Sequence, residues 1–216
     1  HGTAVVTLAG LINAAKITGR NLADSKFVVV GAGAAGTAIA KLLKLYGVGQ
    51  ILAVDSKGII SASRDDMNEA KRLLLEHVDG SIDGSLADAL QDADVFIGVS
   101  QPNLLNEGLI KTMSKDPIVF AMANPTPEIM PEIAKAAGVA VMATGRSDFP
   151  NQVNNAIAFP GIFRGALDNH VREITDQHKI AAAEAIARLI ELPTADEIIP
   201  SVFDERLVPA IASVIS

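Results

Sequence analysis

The chain has 216 residues, 49% of them hydrophobic and 20% charged, with 18 Lys+Arg against 25 Asp+Glu for a net charge of −7 and a pI near 5.0. That length supports roughly one to two domains, and so apolar a composition excludes a disordered chain. Seventeen Gly and ten Pro without a fixed period exclude a collagen-like chain, no dense Lys/Arg run marks a nucleic-acid face, and the absence of Cys removes disulfides, thiolate catalysis and Cys-ligated metals.

In chain order, apolar residues at Val5, Leu8, Leu11, Ile12 and Ala15 recur with the helical period and predict a helix over Thr3–Thr18, stopped at Gly19. Lys26–Val30 is a short apolar run suited to a strand buried on both faces. Gly31-Ala-Gly-Ala-Ala-Gly36 follows, then a helix over Thr37–Tyr46 and a strand over Ile51–Val54. Arg64–Val78 reads as an amphipathic helix and Leu86–Leu90 as a short one. Strands are expected at Val95–Val99, Ile118–Ala121 and Val139–Ala143, with helices at Asn106–Met113 and Pro131–Ala137 between them. Thr144–Gly165 reads as loop-rich, Thr175–Ile190 as a helix, and Val208–Ser216 as a last one.

Strands alternating with helices at this spacing indicate βαβ units and a parallel sheet. The expected fold class is therefore α/β, a Rossmann-like doubly wound parallel sheet with flanking helices and a C-terminal helical extension, in one domain over residues 1–216. No apolar run reaches the roughly 18 residues of a membrane span, and no cleavable signal peptide is evident. These features and the missing Cys point to a cytoplasmic protein without membrane or nucleic-acid partners.

The glycine turn carries the first chemical signal. In a strand–turn–helix context, Gly31 permits the tight turn, Gly33 admits a pyrophosphate and Gly36 allows close helix–strand packing. The helix start then offers unpaired N–H groups to phosphate without needing Lys or Arg. Asp55 ends the next strand, about twenty residues past Gly36, where an acidic side chain grips the adenosine ribose. The competing reading is a glycine-rich packing turn with a surface Asp. The Asp55 charge would repel a 2′-phosphate and favours NAD, whereas Ser56 and Lys57 would accept one, so NADP stays open as the alternative.

Three segments follow strand ends: Ser100-Gln-Pro-Asn103, Ala123-Asn-Pro-Thr-Pro127 and Thr144-Gly-Arg-Ser-Asp148. Asn124, held out of the helical region by Pro125, could face a nicotinamide or a substrate carboxylate, or simply form an Asx-turn. Asn154 and Asn155 offer paired carboxamides, or a helix N-cap. His1, His77, His170 and His178 read as surface or chain-end residues, and no metal-binding spacing or Ser-His-Asp arrangement is visible.

His1-Gly-Thr-Ala-Val-Val6, Gly31–Gly36, Phe120-Ala-Met-Ala-Asn-Pro125 and the long block Thr144-Gly-Arg-Ser-Asp-Phe-Pro-Asn-Gln-Val-Asn-Asn-Ala-Ile-Ala-Phe-Pro-Gly161 resemble the cofactor domain of bacterial-type malic enzymes, from His1 to about Ala187. The resemblance implies oxidative decarboxylation of malate to pyruvate and CO₂, with hydride transfer to NAD or NADP and a Mg²⁺ or Mn²⁺ ion acting as Lewis acid in the full-length enzyme. It also implies a cytoplasmic homo-oligomer, a dimer through the full-length protein. Metal ligands and the Tyr/Lys proton-transfer pair belong to an amino-terminal domain absent from this chain, so the chain alone is expected to be inactive. Tyr46 does not match that tyrosine. By the resemblance, Thr3, Gly31, Gly33, Ala34, Ala35, Gly36, Asp55, Ser100, Asn124 and Asn155 are cofactor-binding, and Asn124, Asn154 and Asn155 substrate-binding. Malolactic enzyme (malate to lactate) and a non-catalytic nucleotide-sensing domain are the alternatives.

Overall fold

The structure, a computed structural model, describes residues 1–216. Its centre is a six-stranded sheet of β1 (Lys26–Val30), β2 (Gln50–Asp55), β3 (Gly58–Ile59), β4 (Val95–Gly98), β5 (Ile118–Ala121) and β6 (Val141–Thr144), ordered β3-β2-β1-β4-β5-β6. All neighbours are parallel except β2 and β3. The Rossmann-like class expected from the alternation of strands and helices is the one observed.

Each strand buries alternate residues on opposite faces. Phe27, Val29, Ile97, Phe120 and Val141 face one core, filled by helices α1 (Gly2–Thr18), α2 (Ala34–Tyr46), α8 (Asp176–Arg188) and α9 (Leu207–Ala212). Val28, Val30, Phe96, Val119 and Met142 face a second core under α4 (Leu86–Leu90), α5 (Glu107–Thr112) and α6 (Pro131–Ala136). Helix α1 is buried nearly all round, so its sequence lacks a polar stripe. Its two buried polar side chains are both partnered: Thr7 Oγ1 donates to Met122 Sδ at 3.6 Å, and Asn13 donates from Nδ2 to the carbonyls of Ala187 and Ile198, both at 3.0 Å.

Several expectations are corrected. The segment read as a helix over Arg64–Val78 is helical only as α3 (Glu69–Leu75), because Asn68 caps it by accepting from Lys71 N at 2.9 Å and Arg64–Asp66 are held in a turn by ion pairs. The second helix starts three residues earlier than Thr37, at Ala34, so the glycine turn itself supplies its first turn. The block read as loop up to Gly165 contains a 3₁₀ turn (Asn155–Ile157) and helix α7 (Phe159–Asp168). Pro160 sits in the first turn of α7, where its missing N–H costs nothing. The last strand begins at Val141 rather than Val139, and the two-residue antiparallel strand β3 carries too short a pattern to be read.

The packing of α2 on the sheet depends on Gly36. A Cβ there would overlap the carbonyl oxygen of Gly31, a backbone atom that cannot swing aside. We expect Gly36→Ala to cost about 3 kcal/mol, within the range for overpacked cores. In a domain of this size that lowers Tm by roughly 6–12 °C in a calorimetric melt.

Candidate functional site

The chain runs outward from β1 through β2 to β3 and then returns to β4 beside β1. Ligands of open α/β sheets bind at such a reversal, beyond the carboxyl ends of the strands. There Gly31 sits at φ +124°, donating its N–H to Val54 O at 2.9 Å, and a Cβ would come within 2.9 Å of the Val99 carbonyl oxygen. Gly33 is different. Its backbone is extended (φ −86°, ψ −173°), it is exposed, and an added Cβ would meet nothing within 4 Å. The chain's own packing does not require glycine at that position. Helix α2 begins directly after it without a side-chain cap or an acidic residue in its first turn, so the N–H groups of Ala34, Ala35 and Gly36 have no intrahelical partner and no neutralising side chain.

A cavity of about 450 Å³ opens beside this helix start, lined by Thr3, Ala35, Ser100, Asn124, Asn154 and Asn155 among others. Six of the residues singled out from the sequence thus meet on one wall system, brought from α1, α2, the ends of β4 and β5 and the 3₁₀ turn in the loop beyond β6. Gly31, Gly33, Ala34 and Gly36 form the turn leading to it without lining it, and Asp55 lies outside it, at the end of neighbouring β2.

Two of the three carboxamides are oriented by the chain. Thr3 Oγ1 donates to Asn155 Oδ1 at 2.7 Å. Asn154 Oδ1 accepts from Ala156 N at 2.9 Å, capping the 3₁₀ turn, so the capping reading holds for this residue. In both cases the oxygen is engaged internally and the amide nitrogen keeps its donors. Asn124, exposed and joined to Pro125 by a cis peptide, makes no side-chain hydrogen bond within the chain. The loop carrying Asn154 and Asn155 is anchored by Asn151, a residue the sequence did not single out. Buried and in the left-handed region (φ +57°), Asn151 donates to Met142 O and Ala195 O at 2.9 and 2.8 Å and accepts from Ile198 N at 2.9 Å.

Asp55 is not a free carboxylate. Arg64 grips both of its oxygens at 2.9 and 3.0 Å, Lys71 Nζ lies 2.9 Å away, and Lys57 N donates at 2.9 Å. Those contacts use about all the acceptor sites a carboxylate offers. Asp66 completes the cluster by pairing with Arg64, Lys71 and Lys57, so three cations face two carboxylates. Burial pushes the Asp55 carboxyl up, but the hydrogen bonds from Arg64, Lys71 and Lys57 N outweigh it and hold it at about 2. Repulsion of a 2′-phosphate by Asp55, which favoured NAD in the sequence, is therefore cancelled locally.

Glu128 also escaped the sequence reading. It is fully buried among apolar neighbours at the ends of β4 and β5, with Oε1 accepting from Ser100 N at 3.1 Å and Oε2 from Ala123 N at 3.0 Å. Desolvation raises its pKa, partly opposed by those backbone hydrogen bonds. No group of three or more His, Asp or Glu side chains converges anywhere to hold a metal ion. No helix is long and apolar enough to cross a membrane.

A glycine turn, a bare helix start and a rim of carboxamides at a sheet reversal define a dinucleotide-binding α/β domain. Residues 1–214 match the family described as "Malic enzyme, NAD binding domain", and the chain belongs to that family. It is 54% identical over its full length to the bifunctional malic/malolactic enzyme of Bacillus subtilis, covering 54% of that protein. It is 41% identical to the NADP-dependent malic enzyme of Halomonas elongata, covering 55% of it. The crystal structure of the NAD-dependent malic enzyme from Thermotoga maritima superposes with a TM-score of 0.94 at 44% identity, over 99% of this chain and 57% of that one. The chain thus spans about half the length of these relatives.

The Asp55 cluster makes a pH-dependent contribution whose sign is fixed. Its folded pKa of about 2 lies below the unbound value of 3.8, so its stabilisation is present above pH 4 and is lost as the pH falls toward 2. We expect Asp55→Asn to melt below wild type at neutral pH, and the Tm gap to narrow steadily on acidification from about pH 5 toward pH 2.

Proposed function

We propose that this chain holds the nicotinamide dinucleotide of a malic enzyme and presents it to malate, for oxidative decarboxylation to pyruvate and CO₂ in the longer protein. The observation that carries the reading is Gly33, whose missing side chain has no packing role yet leaves the approach to a bare helix N-terminus open. Bound there, the nicotinamide would supply a hydride acceptor for the malate carbinol carbon. The chain's own part is binding and orientation. Backbone N–H groups of Ala34, Ala35 and Gly36 neutralise the pyrophosphate, and Ser100 and Asn124 flank the nicotinamide end. Asn154 and Asn155, their oxygens engaged within the chain, direct N–H donors at carboxamide or carboxylate oxygens, with Thr3 keeping Asn155 in that sense.

The Mg²⁺ or Mn²⁺ implied by the family finds no donor cluster among these residues. Proton transfer likewise has no candidate in the cavity: its polar lining is Thr, Ser and Asn, none of which titrates usefully near neutrality. We therefore propose that the chain alone binds dinucleotide without oxidising malate. On the resemblance to malic enzymes alone, we propose that the full-length protein is a cytoplasmic homo-oligomer. The Bacillus subtilis relative is named for both malic and malolactic activity, and the same cradle would serve either reaction. Pyruvate or lactate as the product of the full-length protein separates the two.

Gly33→Val tests the cradle. Calorimetry on the purified chain should show the variant melting within a few degrees of wild type while NAD affinity falls at least about a hundredfold, since a branched side chain would stand where the pyrophosphate approaches and its hydrogen bonds to charge, roughly 1.5–3 kcal/mol each, would be lost. Unchanged affinity would remove the turn from the site.

The cation cluster at Asp55 governs the choice of dinucleotide in this reading. With Asp55 neutralised, Arg64, Lys71 and Lys57 leave a local positive excess able to receive a 2′-phosphate, and relatives use either cofactor by name. Arg64→Gln both removes a phosphate donor and frees Asp55 for the ribose hydroxyls. The ratio of NAD to NADP affinity should rise by about tenfold or more, on the scale of one hydrogen bond to a charged group. A ratio unmoved by the substitution would exclude Arg64 from the choice.

A further inference from the structure

We propose that Glu128 is a positioning residue, whose carboxyl group ties the end of β4 to the end of β5 and thereby fixes the gap between Ser100 and Asn124 in which the nicotinamide end sits. The inference rests on the dinucleotide reading of the cavity and assigns a role to the one fully buried carboxylate beside it.

The geometry is specific to a carboxylate. Ser100 N and Ala123 N belong to different strand ends, and each donates to a different oxygen of the same side chain, at 3.1 and 3.0 Å. A side chain must offer two acceptors to satisfy both. Gln offers one, and its NH₂ would face a backbone N–H. Room for the group is made by Gly98, the last residue of β4, where a Cβ would overlap the Glu128 carboxyl. The backbone around Glu128 continues the same tie. Its carbonyl accepts from Leu105 N at 2.9 Å, and the Pro127 carbonyl accepts from Asn103 N at 3.1 Å, so the loop after β5 is laced to the loop after β4.

The arrangement is costly. Glu128 lies fully out of solvent, its hydrogen bonds come from main-chain amides, and no basic side chain pairs with it. Burying a carboxyl group without a cationic partner is unfavourable. What the carboxylate adds is a fixed distance between two backbone points. Those points adjoin the cavity: Ser100 and Ala123 line it, as does Asn124 one residue on. In the proposed binding mode the adenosine end would point toward Asp55 at the end of β2, outside the cavity wall that this tie supports.

Glu128→Gln in the 216-residue chain tests the assignment, with NAD and ADP-ribose as paired probes in calorimetry. ADP-ribose carries the adenosine and pyrophosphate but no nicotinamide. We expect ADP-ribose affinity within about twofold of wild type and NAD affinity about tenfold weaker, the scale of one unsatisfied buried donor. Equal losses for both ligands, or none, would overturn the positioning role. Wild type binding neither ligand would instead sink the dinucleotide reading itself. A second measurement uses wild type alone, against the chance that the variant does not fold. In amide hydrogen exchange, Ser100 and Ala123 should gain protection with NAD and not with ADP-ribose. The same response to both ligands, or to neither, would overturn the proposal.

Discussion

The contact on which the rest of the site depends is the one between the Gly31 carbonyl and Gly36. No L side chain fits at either residue, because a Cβ at Gly36 would overlap that carbonyl and one at Gly31 would press on the Val99 backbone. Only with both side chains missing can α2 start at the very end of β1, and only then do its free N–H groups reach the crevice between β1 and β4. The third glycine obeys another rule. Gly33 is free to carry a side chain as far as the chain is concerned, so its selection has to be sought outside the chain's own packing. Three glycines in one motif thus divide into two that fold the turn and one that leaves it open.

Electrostatics at the site runs against the protein as a whole. The net charge is −7, yet the cavity is lined by neutral side chains and a positive helix end, Glu128 behind that lining turns its oxygens to the amides of Ser100 and Ala123, and Asp55 at the end of β2 shares three cations with Asp66. An anionic ligand therefore meets local backbone dipoles and a local cation excess rather than the global field, which salt screens over about 8–10 Å. Arg64 is the hinge of this arrangement. Its side chain is only 12% exposed and bidentate to Asp55, so it counts as a structural ion pair as much as a ligand contact.

Much of this was legible in the sequence, and the limits are physical. Strand cores, the glycine turn and the three strand-end loops read correctly because burial on both faces leaves continuous apolar runs and because turns need glycine. Helix α7 did not, since Phe-Pro-Gly resembles a loop until Pro160 is seen in a first turn, and Arg64–Asp66 resembled helix because ion pairing to Asp55 is non-local. Asp55 itself was placed correctly at a strand end, but its partners lie up to sixteen residues away across a turn, so its neutralisation could not be read from spacing. Glu128 carries no signal at all. A Glu between Pro127 and Ile129 looks like an ordinary surface residue, and only the meeting of two strand ends reveals why it is buried.

The remaining question is how a rim of neutral amides acquires direction. An isolated Asn can present oxygen or nitrogen with equal ease, and a ligand would have to select one at an entropic cost. Here the choice is made in advance. Thr3, fixed on the buried helix α1, holds the oxygen of Asn155, and the 3₁₀ turn holds that of Asn154. Behind them Asn151, satisfied on both sides of its amide, pins the loop to β6 and to the segment at Ala195–Ile198. The amides of Asn154 and Asn155 are therefore donors by construction, and donors set beside a positive helix end favour carboxylates and phosphates without a single lysine or arginine in the lining. That follows from hydrogen bonds made wholly within this chain, which is why the cradle is expected to be formed before any ligand arrives.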